Sequence, residues 1–134
     1  MRLLLDTHTF LWYITDDPRL PVACAEAIRA ESNEVFLSVV SVWEALAKHQ
    51  LGKLPLPSPA DEYLRHRREE HDVASLSFDE PSLSHLLHLP LHHRDPFDRM
   101  LICQALQHDL QVVTSDALFA KYPITIFQPH DLAG

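Results

Sequence analysis

The chain has 134 residues, of which 46% are hydrophobic and 22% charged, the composition of a single globular domain spanning residues 1–134. Its formal net charge of -8 disfavours binding to nucleic acid through bulk electrostatics alone. No apolar run approaches the roughly 20 residues of a membrane-spanning helix, and Asp6 interrupts the first apolar run too early for a signal peptide. We therefore expect a cytoplasmic protein that has no membrane partner.

Short apolar strands alternate with longer helical patterns along the chain. The predicted strands are 3–5, 35–37, 73–76, 112–114 and 124–127, and the predicted helices are 7–14, 21–31, 40–51, 59–71, 79–88, 96–108 and 115–121. This alternation predicts an α/β fold, a three-layer α/β/α sandwich with a central parallel sheet of about five strands. The proline-rich segment 54–59 is expected to be a stiff connection inside one domain. Cys24 and Cys103 lie in apolar helical patterns and predict buried, reduced thiols without a function.

Two acidic residues directly follow predicted buried strands. Asp6 follows strand 3–5, and Asp116 follows strand 112–114 after Ser115. In an open α/β sheet, ligands bind at the edge where the strands end. Each residue alone is explained equally well as the N-cap of the next helix. Both together point to a binding site at this edge.

Two further acids lie on helix faces that should be packed. Glu44 shares a helical stripe with Val40, Ala47 and Leu51, and Asp98 shares one with Leu101, Ile102 and Ala105. Glu44 has an alternative as a surface partner of Lys48, four residues on. Asp95 is explained as a helix N-cap followed by Pro96 at the first helical position. That cap leaves the inward direction of Asp98 unexplained.

Convergence of Asp6, Glu44, Asp98 and Asp116 predicts a metal site, because unpaired buried carboxylates either take up protons or bind a cation. Oxygen ligands favour magnesium or manganese, as one or two ions, and such a site is typical of phosphate chemistry. Asp95 is a further possible ligand. The hydroxyls of Thr7 and Ser115 are next to proposed ligands and are expected to orient a ligand or a bound water.

The acids belong to four short motifs spread over nearly the whole chain. The motifs are Leu4-Leu5-Asp6-Thr7-His8 with Leu11-Trp12, Ser41-Val42-Trp43-Glu44 running to Leu51-Gly52-Lys53-Leu54, His92-His93-Arg94-Asp95-Pro96-Phe97-Asp98-Arg99, and Val113-Thr114-Ser115-Asp116 with Phe119. In these motifs the chain resembles PIN-domain ribonucleases of the VapC type, the toxins of bacterial toxin–antitoxin pairs. By position, the acidic catalytic and metal-binding set of that family falls on Asp6, Glu44, Asp98 and Asp116.

The resemblance implies an α/β/α fold, a homodimer, and cleavage of RNA with magnesium or manganese. It also implies in-line attack by a metal-bound water that leaves a 5′-phosphate and a 3′-hydroxyl, and a small antitoxin protein that covers the acidic pocket. Five arginines are candidate contacts to the RNA backbone: Arg65, Arg67, Arg68, Arg94 and Arg99. Each is also explained as an ordinary solvated surface charge.

Two alternatives remain open at this point. A catalytically inert domain of the same fold would only bind a protein partner or RNA, although retention of all four acids disfavours it. The second alternative is a zinc or nickel site formed by four histidines, His85, His88, His92 and His93. Of these, His85 and His88 share one face of the predicted helix 79–88, where a solvent-facing stripe is the simpler explanation.

Overall fold

The computed structural model describes residues 1–128. Within this range, strands and helices alternate along the chain. Their order is β1 (Arg2–Leu5), α1 (Thr7–Ile14), α2 (Val22–Arg29), β2 (Glu34–Ser38), α3 (Val39–Gln50), α4 (Ala60–Glu70), β3 (Ala74–Leu76), α5 (Glu80–Ser84), α6 (Pro96–His108) and β4 (Gln111–Val113). Two 3₁₀ helices, His85–His88 and Ala117–Lys121, complete the described elements.

All four strands are parallel and form one sheet in the order β3-β2-β1-β4. Leu4 of β1 pairs with Phe36 on β2 and with Val112 on β4. Because the strands run in one direction, β1, β2 and β4 all end at the same edge of the sheet. Asp6 and Asp116 follow β1 and β4 at that edge.

Helices cover both faces of the sheet. Leu3 and Leu5 of β1 pack in a cluster with α1, α2 and α4, whereas Leu4 packs on the opposite face with α6. This alternation follows from the two-residue period of a strand. The predicted three-layer α/β/α architecture is therefore confirmed.

Local capping sets where the helices at this edge begin. The Asp6 carboxylate accepts a hydrogen bond from the backbone N–H of Thr9, which caps α1. The Ser38 hydroxyl caps α3 in the same way. Asp95 caps α6, with Pro96 at its first position, as the sequence predicts. The capping directs α1 and α3 away from the strand ends.

Three predicted elements differ from the structure. The predicted strand 124–127 contributes a single bridge, Val112 to Ile126, so four strands are seen in the described part of the chain where about five are predicted. β4 has only three residues, and Pro123 has no N–H to donate to a ladder. The predicted helix 79–88 divides into α5 and a 3₁₀ helix over His85–His88, and the extended Leu89 before Pro90 ends the 3₁₀ helix. Residues 115–121 form a 3₁₀ helix over Ala117–Lys121.

The expectation of buried, reduced cysteines is met. Cys24 and Cys103 are buried and free. In segment 54–59, Leu54 and Leu56 pack against the cluster that contains Leu3 and Leu5. No helix within residues 1–128 is both long and apolar enough to span a bilayer. Residues 129–134 of the predicted single domain lie outside the described residues.

Candidate metal centre

Asp6 is buried and both of its carboxylate oxygens accept hydrogen bonds. Oδ1 accepts from the Thr9 backbone at 2.8 Å, and Oδ2 accepts from the Thr114 hydroxyl at 2.5 Å. Thr114 Oγ1 in turn accepts from the backbone N–H of Asp116 at 3.0 Å. One hydroxyl therefore connects the two acidic residues that follow β1 and β4. The N-cap role weighed for Asp6 is real, and it still leaves a lone pair free on each oxygen.

Glu44 lies in the interior with only 4% of its surface exposed. Its Oε1 accepts from the Thr7 hydroxyl at 2.5 Å, and its Oε2 pairs with Lys48 Nζ at 2.8 Å. The structure thus combines both interpretations of Glu44, because it points inward and also pairs with Lys48. The hydrogen bond to Glu44 raises the pKa of Lys48 in spite of burial, and Asp95 and Asp98 add to that rise. Lys48 therefore lies in the electric field of all three acids.

Asp98 has a strongly raised pKa. Burial raises its pKa to about 7, and the negative charges of Asp95, Glu44 and Asp116 add to the rise, while His93 opposes it. Burial is the largest cause of the rise, and the neighbouring carboxylates add an excess of negative charge beside Asp98. A divalent cation would supply the missing positive charge.

His93 occupies this site as well. Its Nε2 lies 2.9 Å from Oδ2 of Asp116 and 3.9 Å from Oδ2 of Asp98, and the side chain is buried. Burial raises the pKa of Asp116, but hydrogen bonds from His93 and from the Leu118 backbone outweigh it, so that pKa is lowered. In residues 1–128, His93, Asp98 and Asp116 form a group whose ligand atoms lie within 4.8 Å of one another.

Asp6, Glu44, Asp98 and Asp116, called the acidic centre below, are connected through the contacts described above. Asp6 and Asp116 share Thr114, and Glu44 and Asp116 both act on the pKa of Asp98. The tight group with His93 contains two of these four acids. The donor set fits a hard divalent cation, because it is dominated by carboxylate oxygens and retains an excess of negative charge.

The remaining residues proposed around the metal are placed differently. Thr7 bonds Glu44, whereas Ser115 is exposed, and Thr114 supplies the hydroxyl that reaches Asp6. Asp95 Oδ1 caps α6 through the N–H of Phe97 and is near enough to raise the pKa of Asp98.

The structure separates the predicted arginines into two groups. Arg67 donates to the carbonyl of Ile14 at the end of α1, and Arg68 donates to the carbonyl of Val73 just before β3. These contacts put the last turn of α4, including both side chains, at the edge where strands begin, opposite the acidic centre. Arg65, on the same helix, is exposed and lies 4.0 Å from Glu69.

The other two arginines flank the first turn of α6. Arg94 is exposed in the loop that carries His93, one residue before the Asp95 cap. Arg99 donates to the carbonyl of Pro90 at 2.8 Å. Of the five predicted RNA contacts, Arg94 is therefore the one that is exposed and also lies within four residues of Asp98 in the sequence.

Three of the four histidines weighed as a zinc or nickel site have separate surroundings. His85 hydrogen-bonds Gln107, His92 packs edge-on to Tyr122, and His93 contacts Asp116. No group of three or more potential ligands made from these histidines is present in the described range. The structure does not support that alternative.

Sequence patterns did not assign His93, Thr114 or Lys48 to the metal centre. His93 lies in the loop before α6, where no helical or strand period indicates the direction of a side chain. Thr114 is one residue away from the hydroxyl proposed from spacing. The signal available for His93 was its place two residues before the α6 cap, which brings it to the helix end that carries Asp98.

A parallel α/β sandwich that gathers carboxylates where its strands end defines a protein of the class that binds divalent metal at the carboxyl edge of the sheet. The PIN domain profile matches residues 3–124, and the chain belongs to the PIN domain family. The family resemblance seen in the sequence motifs is thereby confirmed.

Related proteins extend this assignment. Ribonuclease VapC22 of Mycobacterium tuberculosis is 24% identical over 130 residues, which are 93% of this chain and 98% of that protein. VapBC2 from Rickettsia felis, bound to a DNA fragment from their promoter, has a TM-score of 0.67 at 15% identity and covers 96% of this chain and 98% of its own. DNA-bound VapBC from Salmonella typhimurium has a TM-score of 0.67 at 19% identity, covering 96% and 97%. FitAcB from Neisseria gonorrhoeae has a TM-score of 0.62 at 23% identity, covering 95% and 97%. These structures share the fold of this chain.

Proposed function

We propose that this chain is a metal-dependent endoribonuclease of the VapC type, the toxin of a type II toxin–antitoxin pair. The observation that carries the proposal is the acidic centre of a PIN domain: Asp6 and Asp116 follow paired parallel strands and share the Thr114 hydroxyl, and the charges of Glu44 and Asp116 act on the pKa of Asp98. Similarity to ribonuclease VapC22 along almost the whole chain supports RNA as the substrate. The proposed place of action is the cytoplasm.

The side chains that would hold magnesium or manganese are Asp6, Glu44, Asp98 and Asp116, with Asp95 beside them. If bound there, the cation would supply a lower pKa for an attacking water and positive charge beside the phosphate oxygens. Thr114 and Thr7 orient the carboxylates of Asp6 and Glu44 by hydrogen bonds at 2.5 Å.

Two basic residues, Arg94 and Lys48, would assist at this site, and no protein group would form a covalent bond to the RNA. The exposed Arg94 would attract the RNA backbone to the acidic centre. Lys48 pairs with Oε2 of Glu44 at 2.8 Å and offsets its negative charge. The mechanism uses no serine or cysteine nucleophile, and the thiols of Cys24 and Cys103 are buried.

The decisive experiment incubates the purified chain with total cellular RNA in magnesium, in manganese and in a chelator, and then sequences the fragment ends. Asp6→Asn is the test variant, because an asparagine oxygen can still accept the Thr9 N–H and cap α1. Asp61→Asn, at an exposed position in the first turn of α4, is the matched control. We expect metal-dependent cuts with 5′-phosphate ends for wild type and Asp61→Asn only.

Equal cleavage by Asp6→Asn and wild type would attribute the activity to a contaminating nuclease and refute the proposal. A folded wild-type chain that binds RNA or a protein partner but cuts nothing in any metal would favour the inert binding module instead. Thermal melts of all three proteins show whether the substitutions preserve the fold.

Two partners belong to this proposal. The first is a small antitoxin that covers the acidic centre, placing a basic side chain among the carboxylates. Its support is that the structural neighbours from Rickettsia felis and Salmonella typhimurium are VapBC assemblies. Co-purification with the product of an adjacent reading frame, and inhibition of cleavage by it, would test this partner.

The second partner is another copy of this chain. Support comes from an exposed apolar surface on and after α5, formed by Leu83, Leu86, Leu87 and Leu91. Sedimentation equilibrium should give a dimer for the wild type and a shift toward monomer for Leu87→Lys, in which the leucine is 87% exposed. A wild-type monomer at all concentrations would contradict the dimer.

A further inference from the structure

The hydroxyl of Tyr122 lies beside three nitrogen atoms. The backbone N–H groups of His92 and His93 donate to it at 3.2 Å and 2.9 Å. A phenol oxygen that accepts two hydrogen bonds still has its own proton to donate. The remaining nitrogen is Nδ1 of His93, at 3.2 Å.

This arrangement assigns the tautomer of His93. Because the Tyr122 hydroxyl donates to Nδ1, that ring nitrogen is an acceptor and the proton of the neutral imidazole is on Nε2. Nε2–H then points at Oδ2 of Asp116, at 2.9 Å. A nitrogen that carries a proton cannot be a metal ligand, so the same assignment makes His93 a hydrogen-bond donor to the acidic centre.

The imidazole ring has little freedom to turn away. His93 and Tyr122 are both at least nine-tenths buried, and their rings stack with centroids 5.4 Å apart at 22°. Phe119 packs edge-on against the His93 ring, with centroids 5.0 Å apart. Oδ1 of Asp116 accepts from the Leu118 backbone at 2.9 Å, so the carboxylate is held at both oxygens.

We propose that Tyr122 and His93 are a positioning pair that fixes the Asp116 carboxylate in the direction needed to bind the divalent cation. This inference rests on the proposed function for its consequence in catalysis. Hydrogen-bond partners of metal ligands typically change metal affinity or activity by 10- to 100-fold when they are removed. The pair connects the loop before α6, which carries His93, to the segment after β4, which carries Tyr122 29 residues further along the chain.

The first test uses the metal-free full chain, labelled with nitrogen-15 in histidine, and two-bond proton–nitrogen NMR. We expect the His93 signals of the Nε2–H tautomer in wild type, and loss of that single tautomer in Tyr122→Phe, which removes only the hydroxyl. An Nδ1–H tautomer in wild type would overturn the proposal. This readout does not depend on RNA cleavage.

The second test measures binding of magnesium by calorimetry and of manganese by electron paramagnetic resonance. His93→Leu should weaken both roughly 10- to 100-fold, and His93→Gln, whose amide can donate to Asp116, should recover part of the loss. His66→Gln, at an exposed position on α4, is the matched control and should bind like wild type. Unchanged affinity in His93→Leu would overturn the proposal, and so would nitrogen hyperfine coupling from directly coordinated His93 in the manganese spectrum.

Cleavage assays distinguish a failure of this inference from a failure of the proposed nuclease function. Wild type that cuts no RNA but shows the expected tautomer and affinities would refute the nuclease and retain the positioning pair. Wild type that cuts RNA, with His93→Leu equal to it in kcat and in metal affinity, would refute the pair alone. If His93→Leu does not fold, Tyr122→Phe and His93→Gln supply the same comparison.

Discussion

The hydroxyl of Thr114 donates a hydrogen bond of 2.5 Å to Oδ2 of Asp6, across 108 residues of sequence. Oγ1 of Thr114 also accepts the N–H of Asp116, so this one atom connects the two chain segments that follow β1 and β4. Because β1 and β4 pair in parallel, both segments reach the same edge of the sheet. The sheet therefore places the two acids near each other, and Thr114 sets how they are oriented.

Replacing Thr114 with valine keeps the shape of the side chain but removes this hydroxyl. Asp6 Oδ2 loses its donor, so we expect magnesium affinity and RNA cleavage to fall roughly 10- to 100-fold. The free energy of unfolding should fall by about 1 kcal/mol. Thr114→Ser retains the hydroxyl and should stay near wild type, as measured by calorimetry and cleavage rates. Equal activity of the valine and serine variants would show that the hydrogen bond has no role.

Most of the fold was predictable because the strands are short apolar runs and the helices have clear caps. Leu3, Leu4 and Leu5 indicate a strand buried on both faces, and the structure buries all three completely. Segment 124–127 has the same apolar character, but a pattern does not show how many residues β4 offers for pairing. Strand number depends on such partners, which are distant in sequence.

The acidic residues could also be selected from the sequence, since a carboxylate on a packed helix face or after a buried strand is unusual. Their hydrogen-bond partners could not. His93 lies in a loop without a repeating pattern, and its contact with Asp116 depends on Tyr122, 29 residues further along the chain. Arg67 looks like a free surface charge in the sequence, but it is committed to Ile14 in the structure.

The raised pKa of Asp98 predicts an unusual pH dependence for the metal-free protein. Between the ordinary Asp pKa of 3.8 and the folded pKa of about 7, the native state binds a proton that the unfolded chain has released. Stability should therefore fall as the pH rises through this window, by at most about 1.4 kcal/mol per pH unit from this group. Saturating magnesium should reverse the loss above pH 7, because bound cation favours the charged carboxylate.

Urea unfolding in chelator at pH 5 and pH 8 measures this effect, with Asp98→Asn as the variant that cannot titrate. The stability of Asp98→Asn relative to wild type should be higher at pH 8 than at pH 5. Asp61→Asn, at an exposed site, should show no such change. If wild type and Asp98→Asn differ in free energy of unfolding by the same amount at both pH values, the raised pKa of Asp98 is wrong.

Lys48 supplies the positive charge nearest to Glu44, so its removal should make the protein depend more on metal. In Lys48→Met, the buried Glu44 carboxylate loses its partner at 2.8 Å. Because Lys48 is partly exposed, we expect the free energy of unfolding of the metal-free protein to fall by only about 1 kcal/mol. Saturating magnesium should raise the melting temperature more in this variant than in wild type. Lys53→Met, at an exposed site, is the control. An equal metal-induced shift in all three proteins would contradict this role.

The structure separates two arginines that the sequence treats alike, and this difference can be measured. Arg67 hydrogen-bonds the Ile14 carbonyl and Glu70 at the edge where strands begin, so Arg67→Gln should reduce stability by about 1 to 2 kcal/mol. The RNA affinity of Arg67→Gln should depend on salt as it does in wild type, because we expect Arg67 to make no contact with an RNA phosphate. Arg94 is exposed beside the Asp95 cap, and Arg94→Gln should leave stability unchanged.

For RNA binding by Arg94→Gln, the slope of log affinity against log salt should become shallower by about 0.7, the value for one neutralised phosphate on a single strand. The binding measurements are made with the cleavage-deficient Asp6→Asn background, so that the RNA stays intact during titration. A shallower salt slope in Arg67→Gln, with no change in Arg94→Gln, would place the RNA on the opposite edge of the sheet. The acidic centre would then be too far away to act on the bound strand.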